Sequence, residues 1–186
     1  MSNSTAAREA ARQRDGKFGT QPRDAVDVPL DDQPTMTVSS YGTREWRLPN
    51  GKRHRLDGPA VESSDGSREF FVNGKLHRLD GPAVELPNGV RRWLVNGKLH
   101  RLDGPAVELA DGTREWLVDG RHHRLDGPAI EWADGDREFY VNGRFHRLDG
   151  PAIDYTDGYQ EFWIDGKRYA TEADWRQAAE ARTHTG

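Results

Sequence analysis

Five histidines stand at one fixed interval: His54, His77, His100, His123 and His146, each 23 residues after the last. Each opens the run His-Arg-Leu-Asp-Gly-Pro-Ala, so each has an aspartate three residues on, at Asp57, Asp80, Asp103, Asp126 and Asp149. Imidazole beside carboxylate is the pairing that serves general-base chemistry and divalent-metal binding. A metal ladder would draw two ligands from each layer and would need adjacent layers to complete the coordination sphere. A hydrolytic His–Asp pair needs a nucleophile at fixed reach, and no Ser or Thr recurs beside these histidines. There is no phosphate-binding glycine loop and no His-Glu-x-x-His run. Arginine columns attract nucleic acid, but Glu and Asp columns cancel them, so no specific nucleic-acid binding is expected. Equal copies of one cluster favour a structural role, because an active site is usually single. In that reading the His packs on an aromatic column and its ring nitrogen satisfies a backbone group, while the Asp holds the Asp-Gly-Pro bend through backbone amides. The expectation is no catalytic residue, no bound metal and no cofactor.

A fixed period of this length identifies a tandem-repeat chain, in which one unit and its stacking define the fold. In residues 104–126, Pro105-Ala106-Val107-Glu108-Leu109 is extended and Ala110-Asp111-Gly112 is a turn. Thr113-Arg114-Glu115-Trp116-Leu117-Val118 is a second extended run, closed by Asp119-Gly120, a type I′ hairpin signal. Arg121-His122-His123-Arg124 leads back, and Leu125-Asp126-Gly127-Pro128 breaks the run. The aromatic column reads Trp46, Phe70, Trp93, Trp116, Phe139 and Phe162, with Val72, Val95, Val118, Val141 and Ile164 two residues on. Period-two spacing puts each ring and its following aliphatic residue on one face. The favoured register adds Val61, Val84, Val107, Ile130 and Ile153 to that face and makes a continuous aromatic ladder the core. It also sets Glu108 opposite Glu115; a three-residue turn would instead pair Glu108 with Arg114 but break the apolar face. Type I′ pairing places His77 across from Phe70, and continued along the strand it sets Arg78 against Glu69, Arg124 against Glu115, Arg147 against Glu138 and Arg92 against Arg101.

The sequence therefore predicts an all-β protein, an elongated open stack of six β-hairpin repeats. It extends about 60 Å at roughly 4.8 Å per strand. Residues 1–33 lie outside the pattern and are expected as a flexible tail. Residues 6–14 suit a short helix, and Arg12 to Arg23 offer an alternative reading as a docking peptide. Residues 34–170 form the repeat domain, opening with a worn capping unit in which Pro49 marks one extra residue. Residues 171–186 form a capping helix and a frayed end, with Thr171 as N-cap and Trp175, Ala178 and Ala179 on one face. Trp175 is expected over the final aromatic layer, with the helix covering the sheet edge.

Only 34% of the 186 residues are hydrophobic and 31% are charged, which suits a slender stack better than a round core. A net charge of −4 implies no strong field for polyanions. Cysteine is absent, no apolar run is long enough for a bilayer, and the N-terminus lacks the apolar segment of a secretion signal. A soluble, cytoplasmic protein is expected.

The unit Arg-Glu-Trp-Leu-Val-Asp-Gly-Arg-His-His-Arg-Leu-Asp-Gly-Pro-Ala-Val-Glu-Leu-Ala-Asp-Gly resembles a MORN repeat. It shares that family's period, its Trp-x-x-Asn/Asp-Gly-Lys-x-His order and its later Asp-Gly turn. The usual His-Gly-x-Gly is replaced by His-Arg-Leu-Asp-Gly-Pro-Ala, a variant similar to one in bacterial, phage and giant-virus proteins. The resemblance covers about residues 35–170. It implies an elongated hairpin stack that binds proteins or peripheral lipid, without a reaction. Trp132, Tyr140, Phe145, Tyr155 and Trp163 gather in the variable columns toward the C-terminus. They form either a partner-binding patch or a second layer packed by the helix or a returning strand. The functional expectation is a protein-interaction scaffold. The alternatives are a self-assembling structural protein or homodimer, a His/Asp metal-dependent hydrolase, or a lipid-binding module.

Overall fold

The computed structural model describes residues 33–183. The expectations for the N-terminal helix, tail and docking peptide, and for the extreme C-terminal end, lie outside the described residues. Strands β1 (Thr35–Val38) and β2 (Arg44–Arg47) form the first hairpin, and later layers add pairs such as Val61–Glu62 with Arg68–Glu69. These strands join in one 13-stranded antiparallel sheet that ends with Gln160–Ile164 and Lys167–Tyr169. Thirteen strands at roughly 4.8 Å spacing give about 58 Å between the outermost two. The expected elongated, open stack of hairpins is what forms.

Each layer is two hairpins sharing one line of chain. Four two-stranded ribbons, such as Phe71–Val72 with Lys75–Leu76, extend the second sheet strand of their layers. In the last layer, sheet and ribbon positions form one uninterrupted strand, Gln160–Ile164. The ring residue sits at the join, where Phe70 N–H donates to Ala83 O at 2.8 Å and His77 N–H donates to Phe70 O at 2.9 Å. His77 therefore lies across from Phe70, as the turn chemistry requires. Asn73, Asn96, Asp119, Asn142 and Asp165 have φ of 51–53° and precede glycines with positive φ, the type I′ signature.

The other turn departs from the favoured register. Leu109 N–H donates to Thr113 O at 2.9 Å and Gly112 N–H donates to Leu109 O at 3.1 Å, a three-residue loop with Gly112 at φ +97°. Glu108 consequently pairs with Arg114, and Val107 with Glu115. Repeated across the sheet, this register lines up Arg44, Glu62, Arg68, Glu85, Arg91 and Glu108 on one face, alternating in sign strand by strand. The loop sets this register, with Gly112 in the left-handed region and Asp111 Oδ1 accepting Thr113 N–H at 2.9 Å, and opposite charges across strands replace a Glu–Glu repulsion. The valines then alternate with Glu45, Glu69, Arg92, Glu115, Glu138 and Glu161 on the other face, called inner below.

The aromatic column is also not the expected continuous ladder. Its rings are half-buried on the outer face, and a fully buried alanine stands between consecutive rings: Ala60, Ala83, Ala106, Ala129 and Ala152. Backbone pairing at the join places ring and methyl side by side at strand spacing, which leaves no room for a second ring. The aliphatic core lies in small clusters instead, such as Ala106, Val107 and Leu117 with Leu99 and Leu109 packed on them. After the His the chain leaves the ribbon, so Arg78 N–H donates to Leu94 O at 3.0 Å and Arg124 N–H to Tyr140 O at 3.1 Å, both in the next layer. The expected pairs of Arg78 with Glu69, Arg124 with Glu115, Arg147 with Glu138 and Arg92 with Arg101 therefore do not form.

Helix α1 (Glu172–Thr183) starts where expected, with Thr171 Oγ1 accepting from Asp174 N–H at 3.2 Å. Trp175 is buried, its ring centre 5.0 Å from that of Phe162, and its Nε1–H donates to Arg147 O at 3.1 Å. Ile164, Trp175 and Ala179 form a cluster against which Leu148, Phe162, Tyr169 and Ala178 pack. The helix thus lies against the outer face of the terminal strands.

Candidate functional site

The repeated His-Arg-Leu-Asp block resolves into a set of fasteners on the outer face. Arg78 places its guanidinium carbon 4.0 Å from the Phe70 ring centre. Its Nε–H donates to Asp80 at 3.0 Å, and Nη1 donates to Pro82 O at 3.3 Å and to Glu85 at 3.0 Å. Arg55, Arg101, Arg124 and Arg147 cover Trp46, Trp93, Trp116 and Phe139 at 3.9–4.1 Å in the same way. Asp57, Asp80, Asp103, Asp126 and Asp149 thus accept from the Arg two residues earlier, rather than from the backbone amides expected of them. The last layer has Ala170 in place of Arg, and Trp175 takes over the covering of Phe162.

Each histidine Nδ1 accepts the N–H of the first turn residue in the next layer. His54 accepts from Asn73 at 3.1 Å, His77 from Asn96 at 3.1 Å, His100 from Asp119 at 3.2 Å, His123 from Asn142 at 3.1 Å and His146 from Asp165 at 3.2 Å. The expected backbone role is met through Nδ1 in every layer. Among the described residues, no group of three or more His, Cys, Asp or Glu is arranged to hold a metal ion. No helix among them is long and apolar enough to cross a membrane.

The inner face is where layers differ. Its ribbon positions are Arg47, Phe71, Leu94, Leu117, Tyr140 and Trp163, opposite Arg53, Leu76, Leu99, His122, Phe145 and Arg168. The adjoining acid column follows those changes. Glu45 lies 2.6 Å from Arg47 and 2.7 Å from Arg53, and Glu69 lies 3.7 Å from Arg53. Arg92 replaces the acid beside the apolar pair Leu94 and Leu99. Glu115 meets His122 Nε2 at 2.7 Å, and Glu161 meets Arg168 at 2.9 Å. Glu138, only 9% exposed, differs: it accepts from Tyr140 Oη at 2.9 Å and Tyr155 Oη at 2.8 Å.

Of the predicted patch, Tyr140, Phe145 and Trp163 come together. Tyr140 stacks on Phe145 at 4.2 Å, with His122 at 5.2 Å on one side and Trp163 at 5.4 Å from Phe145 on the other. Tyr155 joins through Glu138 and packs its ring 5.8 Å from Tyr159. Trp132 stands apart from this ring series and is 42% exposed. Helix α1 packs on Phe162 and Ile164, which point away from Trp163 by strand alternation, so it does not cover the patch.

The sequence reading missed Glu138, His122 and Tyr159. The signal was available in the parity of the acid column: each inner carboxylate needs a donor from whichever residue its ribbon supplies. Burial first, then the bond to Glu138, pushes the Tyr140 hydroxyl well above its ordinary range. Tyr155 is pushed up to about 12, chiefly by its bond to the Glu138 carboxylate. The Tyr159 hydroxyl holds Glu161 below the usual carboxylate range against the opposing effect of burial, with the Trp163 indole and Arg168 each adding a smaller pull downward.

The fold and site define a class: an open stack of fastened β-layers with one uniform face and one varied face. No family model matches the chain, and no curated protein matches it.

Proposed function

We propose that this is a MORN-like, non-enzymatic interaction scaffold of the cytoplasm that presents its inner β-surface to a protein partner. The division between faces carries the reading. The residues that repeat without change, His-Arg-Leu-Asp-Gly-Pro-Ala, build the outer fasteners, whereas the varying columns meet on the inner face and become aromatic toward the C-terminus. Solenoids use one continuous face in this way, because the stack below it stays constant while the surface is altered. The test exchanges Tyr140, Phe145 and Trp163 for Leu, the residue that Leu94, Leu99 and Leu117 supply at equivalent positions. Affinity purification of the tagged chain from its own cells should lose a partner that the unaltered chain captures, with a cooperative melt retained at a lower midpoint, since Glu138 and Glu161 each lose a donor. Unchanged capture would count against the reading.

A second reading, self-association, is favoured by one observation. All four residues of β1 are exposed, and its outer edge pairs with nothing among the described residues. Mass from light scattering that rises with concentration, and returns to the monomer in a Met36→Pro variant, whose lost N–H lies on the outer edge, would support it. A monomer at high concentration would remove it.

A further inference from the structure

We infer that the surface around Glu138, Tyr140, Phe145 and Trp163 receives a lysine or arginine side chain of the protein partner. This rests on the scaffold reading above and names the chemistry of the partner.

Comparison between layers leads to it. Four acids of the inner column have a cationic or imidazole partner: Glu45, Glu69, Glu115 and Glu161. Glu138 has two tyrosine hydroxyls instead, and no Arg, Lys or His lies within ion-pair reach among the described residues. The hydroxyls satisfy its lone pairs but leave a nearly buried negative charge without a counter-charge, an arrangement that favours a cation. Asp136, which accepts from Thr156 N–H at 2.7 Å and Thr156 Oγ1–H at 2.9 Å, adds a second carboxylate two residues away.

The outer face shows how this chain treats a ring beside a carboxylate. Phe70 and Glu85 share Arg78, and Trp116 and Glu131 share Arg124. On the inner face Tyr140 and Glu138 again set a ring beside a carboxylate, but here neighbouring rings take the faces that arginine covers outside, and the chain supplies no arginine to it. The row of ring edges suits the aliphatic stem of a Lys or Arg while its charged head meets the Glu138 and Asp136 carboxylates. Charge complementarity thus selects a cationic segment over an acidic or purely apolar one.

The experiment titrates the full chain with a fluorescent oligo-arginine peptide and with its oligo-glutamate counterpart. Three variants accompany it. Glu138→Gln removes the charge, and Phe145→Leu removes a ring while restoring the residue found at Leu76 and Leu99. Asp134→Asn removes a charge from the loop edge and keeps the turn acceptor, as Asn88 does toward Val90 N–H at 3.2 Å. The arginine peptide should bind, and Glu138→Gln and Phe145→Leu should each weaken it about tenfold. Asp134→Asn should change it less than about twofold, as expected for an exposed charge. If Glu138→Gln lowers the melting temperature, Phe145→Leu decides alone. Equal binding by wild type and Phe145→Leu, or an equal loss in Asp134→Asn, overturns the inference. Should the arginine peptide bind no better than the glutamate peptide while the triple-leucine variant still loses its partner, the cation is wrong and the scaffold stands. If the triple variant also keeps its partner, both fall.

Discussion

Arg78 illustrates how much one side chain does in each layer: it covers a ring, holds an aspartate and a carbonyl, and reaches the acid of the next strand. That reach requires a glycine between them. A methyl group at Gly127 would stand 2.9 Å from Arg124 Cζ, too close for the guanidinium to stay over Trp116. Gly127→Ala should therefore destabilise the fold by about 1–3 kcal/mol, read from a shift in urea midpoint. The tyrosines at Glu138 give a pH signature. Tyr155 titrates near 12 when folded, above its ordinary value of about 10, so the folded state keeps a proton that the unfolded chain gives up. That stabilisation is complete below about pH 10 and disappears as pH rises through about 12. Tyr155→Phe should flatten the alkaline fall in melting temperature, and an unchanged profile would show that the bond to Glu138 contributes nothing. The histidine role was legible because equal copies argue for a backbone partner. The aspartate role was not, because nothing in a linear pattern shows that Arg folds back two residues to meet it.

At the level of elements, the Asx-Gly turns were legible because both positions need positive φ and few residues tolerate it. The three-residue loop was misjudged because the reading ranked apolar alignment above cross-strand charge. The turn chemistry of Asp111 and Gly112 sets Glu108 opposite Arg114 instead, and the inner carboxylates are then satisfied by ribbon residues that adjacency in sequence does not reveal. The capping helix was legible from Thr171 and from the spacing of Trp175, Ala178 and Ala179. Trp175 does in the last layer what arginine does in the others. Trp175→Ala should cost about 3–5 kcal/mol and release helix α1, seen as faster amide exchange over residues 172–183. Exchange confined to the helix, with the upper layers still protected, would show that the stack opens from that end.

For the molecule as a whole, the period alone established an elongated stack, since an isolated layer cannot bury enough surface to fold by itself. It could not assign faces, because the aromatic column looked like a core and proved to be an arginine-covered outer row. Removing residues 104–126 would join Asp103 to Gly127 and recreate the Leu-Asp-Gly-Pro run. The shortened chain should fold cooperatively, melt earlier and lose about 10 Å from its maximum dimension in solution scattering, two strand spacings. A collapse to an unfolded profile would mean that individual layers are not interchangeable. The two ends of the stack also differ in what they permit. Among the described residues both outermost strands pair on one side only, so helix α1 does not cover the sheet edge as expected. At one end Trp175 lies over Phe162 on the outer face, whereas β1 at the other carries no such cover among the described residues. New layers grafted ahead of Thr35 would find a ready template. Layers spliced in behind Ile164 would first have to evict an indole, so lengthening this protein by design has a preferred direction.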